Sequence, residues 1–177
     1  MSEFRITLRP ALGSVTSIVS ENIALTPLPE GHVVHVLGKP GDEALAKRLG
    51  SLSDGSAHAV RAAGPGQWFI VGNAAKSHAD MTALFEALKP DAYGVDQSQG
   101  RVRMLASGPM VERMLAKGTA VDLSLTQFPL GHSTTSVIGH IAAHLTRVAD
   151  DAFEIMVLRG FAESLWDDLA HMSAEFA

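Results

Sequence analysis

The chain has 177 residues, 46% hydrophobic and 19% charged, with a formal net charge of −5, a balance that specifies a folded globular protein. The negative charge argues against nucleic-acid binding, where affinity rests on Lys and Arg neutralising phosphates, and the lack of cysteine excludes disulfides, thiolate metal sites and thiol nucleophiles. No apolar run is long enough to span a bilayer and MSEFRITLRP has no apolar signal core, so the expected compartment is the cytoplasm, without a membrane.

Residues 1–30 are rich in Ser, Thr and Pro and show no sustained period. This arm is expected to drape over its own core or over a partner, with a partly disordered tail as the alternative. His32-Val33-Val34-His35-Val36-Leu37 reads as a strand, and Gly38-Lys39-Pro40-Gly41-Asp42 turns the chain into a helix through Ala44, Leu45, Arg48 and Leu49 that stops near Gly50. Residues 57–62 and 67–71 pair as strands around the turn Gly64-Pro65-Gly66. Residues 76–88 follow as a helix burying Met81, Leu84, Phe85 and Leu88, and Pro90 closes this half.

The second half repeats the order. Residues 101–105 form a strand, and Ser107-Gly108-Pro109 opens a helix whose apolar side holds Val111, Met114 and Leu115. After an insert at 119–131, residues 136–148 read as one long strand and 153–158 as its hairpin partner, joined through Ala149-Asp150-Asp151. The last helix, from Phe161 to about Met172, is expected to bury Phe161, Leu165, Leu169 and Trp166 and to turn Asp167, Asp168 and His171 outward. The pattern β-α-β-β-α therefore occurs twice, offset by about 70 to 85 residues. The expected fold class is α+β, with two ferredoxin-like β-α-β-β-α halves packed into one compact unit. The whole chain, 1–177, reads as a single domain: an arm at 1–30, a first half-repeat at 31–90 and a second at 91–177.

No motif marks a catalytic centre. His140 and His144 in HIAAH lack the Glu of HExxH, and the surrounding alternation places them on a strand, too far apart for easy shared ligation of a metal. Gly64-x-Gly66 leads into a strand, whereas a dinucleotide loop must open a helix. Ser107-Gly108-Pro109 and Lys39-Pro40-Gly41 sit at strand-to-helix junctions that could hold an anion, but helix capping by Ser107 accounts for the first and neither is a P-loop. Asp150-Asp151 falls in a turn and Asp167-Asp168 on a solvated helix face, with little to raise a carboxylate pKa. No GxSxG elbow presents a serine nucleophile. The insert Asp122 to His132 differs in kind. It sets Leu125, Phe128 and Leu130 in irregular backbone beside Pro129 and Gly131, either to contact something or to fold back over its own core.

Three stretches, DQSQGRVRMLASGP, KGTAVDLSLTQFPLGH and FEIMVLRGFAESLWDDLAHMSAEF, occur in an order that resembles the gamma subunit of heterotetrameric sarcosine oxidase. The resemblance covers the second half well; the first half agrees in element order and in short pieces such as RPAL and GPGQWFIVG. It implies a fold similar to the folate-binding domain of aminomethyltransferases. It also implies a non-catalytic structural subunit of a complex that oxidatively demethylates sarcosine to glycine, with peroxide and methylenetetrahydrofolate as products. FAD, FMN, NAD, zinc and tetrahydrofolate would then belong to the alpha, beta and delta partner subunits, with none in this chain. A stand-alone folate-binding or aminomethyltransferase-like protein is the alternative. The residues expected to meet the partners are Phe128, Pro129, Leu130, Gly131, His132, Arg159 and Trp166, with Phe128 and Trp166 as aromatic anchors and Arg159 paired across the interface. An isolated chain with such a surface would be prone to self-association.

Overall fold

The computed structural model describes residues 9–176. In chain order, strands β1 (Ile18–Val19), β2 (Ala24–Pro27) and β3 (His32–Gly38) lead into helix α1 (Glu43–Leu52). Strands β4 (Val60–Gly64) and β5 (Gln67–Gly72), helix α2 (His78–Leu88) and strand β6 (Ala92–Asp96) follow. The rest comprises β7 (Arg101–Ser107), α3 (Val111–Leu115), β8 (Ser133–Ile138), β9 (Ile141–Ala149), β10 (Ala152–Leu158) and α4 (Ala162–Ser173).

The first sheet runs β4-β5-β3-β6 with every neighbour antiparallel. That is the strand order of a ferredoxin-like unit. Alternation along β3 and β5 turns Val34, Val36 and Ile70 toward α1 and α2, where they pack with Leu45, Leu49, Met81, Leu84 and Leu88. Asp42 caps α1 by accepting from the Leu45 backbone N–H at 2.8 Å, and Ser77 caps α2 by accepting from Asp80 at 3.1 Å. Helix α1 runs past Gly50 to Leu52. β6 pairs with β3 from Val34↔Asp96 to Gly38↔Ala92, so the backbone beyond Pro90 completes the first sheet.

The second sheet runs β1-β2-β7-β10-β9-β8. Here β7, β10 and β9 take the places that β3, β5 and β4 take in the first. The fourth place is filled by β2, from the N-terminal arm, antiparallel to β7 from Ala24↔Ser107 to Pro27↔Met104. Leu12, Ile23 and Leu25 of this arm are buried in the second core, so the arm from residue 9 onward drapes over its own chain, while residues 1–8 lie outside the described residues. Pro27 is tolerated because β1 pairs only with Ala24 and Leu25, leaving no neighbour to miss its N–H.

Two expectations change in the second half. The long strand expected over 136–148 is a hairpin: β8 and β9 pair from Ser133↔Thr146 to Ile138↔Ile141, with Gly139-His140 as the two-residue turn. Gly139 has φ +60, the left-handed backbone such a turn demands. Ser107 does not cap a helix; it ends β7, and α3 begins at Val111 without a side-chain cap. α3 and α4 cover the outer face of the second sheet, with Met114, Leu115, Leu165, Trp166 and Leu169 packed on Val102, Met104, Leu145 and Ile155. Phe161, expected in that core, lies in a 3-10 turn ahead of α4 and is 51% exposed.

Helices thus cover one face of each sheet, and the two free faces meet. Val33, Phe69 and Val71 of the first sheet pack there on Met156 of the second. No helix among the described residues is long and apolar enough to cross a membrane.

Candidate functional site: a charged cleft between the sheets

Strand alternation decides which side chains enter the seam. In β7, Val102, Met104 and Ala106 go to the helical core, so Arg101 and Arg103 point to the other sheet. In β10 the core takes Phe153, Ile155 and Val157, which leaves Glu154 and Met156 on the inner face. β4 supplies Arg61 from the opposite side.

Glu154 receives both guanidinium groups. Arg61 donates to it bidentately, Nη1 to Oε1 at 2.6 Å and Nη2 to Oε2 at 2.8 Å, and Arg103 Nη1 donates to Oε1 at 3.3 Å. All three side chains are buried. Arg103 Nη2 also donates to the Gly72 carbonyl at 2.9 Å and to Asn73 Oδ1 at 2.7 Å, and Arg61 Nε donates to the His58 carbonyl at 2.9 Å. Burial pulls the Arg103 pKa down from the usual arginine value, while the Glu154 carboxylate opposes that shift.

Beside this cluster opens a cavity of about 350 Å³, lined by Arg61, Arg103 and Glu154 together with Asp54, Ser56 and Asn73. At the rim, the Ser56 hydroxyl and backbone N–H both donate to Asp54 Oδ1, at 2.6 and 2.9 Å, and hold its pKa below the usual carboxylate value. Gly72 lets β5 pass here, since a Cβ would collide with the His32 ring and the Asp54 carboxylate. His32, 2% exposed, donates from Nδ1 to the Ala74 carbonyl at 2.8 Å and leaves Nε2 without a partner.

Further along the seam, His144 donates from Nε2 to the Ala62 carbonyl at 2.9 Å, which ties β9 to β4. Its ring meets Phe69 edge-on, with centroids 5.1 Å apart, and its Nδ1 has no partner. Burial lowers its pKa to about 4. His140, expected on the same strand face, is instead exposed in the β8–β9 turn, so the two histidines face different surroundings. No group of three or more His, Asp or Glu side chains suited to a metal ion gathers among the described residues.

The residues expected to meet partners fall into two sets. Phe128 is 2% exposed and Trp166 4%, both inside the second core, so neither is a surface anchor. The insert folds back because the buried Arg147 holds it. Its Nε donates to the Phe128 carbonyl at 2.7 Å, its Nη2 donates to Glu112 Oε1 at 2.7 Å and to the Leu123 carbonyl, and its plane lies over Phe153. Arg159 is paired within the chain, with Glu30 at 2.9 Å, and donates to the Arg9 carbonyl at 2.6 Å. Pro129, Leu130 and His132 are exposed and Gly131 half-buried, Leu130 at 53%. Sequence reasoning missed Arg61, Arg103 and Glu154. The available signal was charge at inward positions of three largely apolar strands, one in β4, two in β7 and one in β10.

Two facing ferredoxin-like sheets, each covered by helices and joined by a buried ion cluster, define an aminomethyltransferase-type fold. The chain belongs to the GCVT N-terminal domain family, whose model matches residues 58–177. Among curated proteins it is similar to the aminomethyltransferase of Herpetosiphon aurantiacus, 28% identical over 63% of this chain, and to that of a Geobacillus species, 30% identical over 62%. The matched region spans 31% of each of those relatives. Among solved structures, a chain of the heterotetrameric sarcosine oxidase from Corynebacterium sp. U-96 superposes with a TM-score of 0.80 at 18% identity, covering 96% of both chains. The glycine cleavage aminomethyltransferase of Bartonella henselae superposes with a TM-score of 0.59 at 18% identity, over 84% of this chain and 45% of that one.

Proposed function

We propose that this chain is a non-catalytic structural subunit of a heterotetrameric sarcosine oxidase, the counterpart of its gamma subunit. The observation that carries this reading is extent: the fold matches 96% of a sarcosine oxidase chain, against 45% of the glycine cleavage aminomethyltransferase. The cleft supports it as well. A carboxylate offers about four acceptor sites, and three of those on Glu154 are taken by Arg61 and Arg103. Asp54, the other carboxylate on the wall, is exposed and already accepts from Ser56. The cleft therefore leaves little free carboxylate for a pterin edge. In this reading the oxidation of sarcosine, with its flavins, NAD, zinc and tetrahydrofolate, is the work of the alpha, beta and delta partners.

The test is co-expression with those three candidate subunits, followed by purification and an assay of sarcosine-dependent peroxide formation. A complex that contains this chain stoichiometrically, and that forms poorly without it, is the expected result. Folate binding or methyl transfer by the chain alone, with no assembly, overturns the proposal.

A further inference from the structure

One end of the inter-sheet seam is open. There Leu37 of β3 and Tyr93 of β6 are cross-strand neighbours, 38% and 71% exposed. Val95, 44% exposed, is the next residue along the same face and lies opposite His35. Leu158, 47% exposed, contributes from the second sheet as the cross-strand neighbour of Arg101. Phe69 connects the two sides, with the His35 ring 4.8 Å from it and the Arg101 guanidinium 4.7 Å above it.

Arg101 stands apart from the other arginines. Among the described residues, every other buried or half-buried arginine has a carboxylate: Arg48 has Asp91, Arg61 and Arg103 have Glu154, Arg147 has Glu112 and Arg159 has Glu30. Among the described residues, the side-chain partners of Arg101 are the Gln97 side-chain oxygen and the ring of Phe69. A half-desolvated cation with no counter-charge is a cost unless something supplies one. The exposed apolar groups on both sides are likewise uncovered. Leu125 and Leu130 of the insert are exposed too, but Phe128 between them is buried.

We infer that the face formed by Leu37, Tyr93, Val95 and Leu158 around Arg101 is the docking surface for an apolar segment bearing an Asp or Glu on a larger partner subunit. This assignment rests on the subunit reading above. The partner carboxylate pairs with Arg101, and its apolar neighbours cover the exposed side chains of the two sheets.

The experiment captures the chain on a tagged complex of the other three subunits and compares Tyr93→Ser, Arg101→Gln and Arg101→Lys with the control Leu130→Ser. Tyr93→Ser and Arg101→Gln are expected to weaken capture by at least about tenfold, mainly through faster dissociation. Arg101→Lys restores part of the loss, and Leu130→Ser has none. Added salt weakens capture of the wild-type chain more than that of Arg101→Gln. If the wild-type chain is captured and both Tyr93→Ser and Arg101→Gln equal it, the surface is wrong and the subunit reading stands. If the wild-type chain is not captured, both fall. A wild-type dimer that Tyr93→Ser converts to monomer, with capture unchanged, assigns the face to a second copy and overturns the partner assignment.

Discussion

A carboxylate held between two guanidinium groups inside a protein loses hydration that only its partners offset, so the balance depends on every member staying in place. In Glu154→Gln, Arg61 and Arg103 keep their positive charges at 3% and 5% exposure with no counter-ion. Urea denaturation is expected to show a loss of about 3–5 kcal/mol. The triple replacement of Arg61, Arg103 and Glu154 by Met, Met and Leu should be close to neutral, since it removes the charges together. His144 gives a second expectation. Its folded-state pKa of about 4 lies below the unfolded value near 6.5. Between those values the unfolded chain binds a proton that the folded chain does not, so its contribution is full above about pH 6.5 and declines as pH falls toward about 4. The loss amounts to roughly 3 kcal/mol. Thermal denaturation across that window should show a slope that His144→Gln lacks; an equal slope in both proteins would assign the acid lability to other groups. His144 stood out in the sequence as part of HIAAH, but Glu154 and its partner Arg61 did not. Each is a single charge in a short apolar stretch, FEIMV and VRAAG, and alternation alone does not say which of the two faces is buried. Only the facing sheet, supplied by distant chain, makes them interior.

At the scale of elements, local pattern was legible wherever an element owns its core face. α2 shows Met81, Leu84 and Leu88 at helical spacing, and β3 shows Val33, Val34, Val36 and Leu37 interrupted only by His35. Elements that borrow their stability were not legible. β2 is four residues ending in Pro, and its place beside β7 depends on chain about 80 residues away. β6 has three of five side chains exposed and a central Gly, so no period marks it. The β8–β9 hairpin hid because Val137-Ile138 and Ile141-Ala142 continue one apolar run across a glycine that was the true punctuation. The borrowed strand carries a testable consequence. Leu25 is 1% exposed in the second core, and Leu25→Ala is expected to cost about 2–5 kcal/mol in denaturant unfolding. Val19, two strands from β7 and 73% exposed, should tolerate Ser with little change. Equal, small effects at both positions would mean that β2 lies on the sheet without stabilising it.

The whole molecule has two apolar cores that do not merge. One lies under α1 and α2, the other under α3 and α4, and the sheets meet through a small apolar patch, the Arg61–Glu154–Arg103 cluster with its bonds to Gly72 and Asn73, the Arg101 contact with Phe69 and the His144 bond to Ala62. The larger core includes the N-terminal arm, so the second half should outlast the first when the seam is weakened. The two tryptophans report on the halves separately: Trp68 packs on the first core and Trp166 lies within the second. With the seam intact, single-tryptophan proteins made by Trp166→Phe and Trp68→Phe are expected to unfold with midpoints that each match the far-UV circular dichroism of the same variant, as one cooperative unit. Adding Glu154→Gln should separate them, with the Trp68 signal lost at lower denaturant and the circular dichroism trace becoming biphasic. The direction is set by core size, the separation by loss of the ion cluster that joins the sheets. If Glu154→Gln lowers stability but every trace stays coincident, the cluster stabilises the fold without linking its halves, and the small patch around Phe69 and Met156 is the joint that makes it one unit.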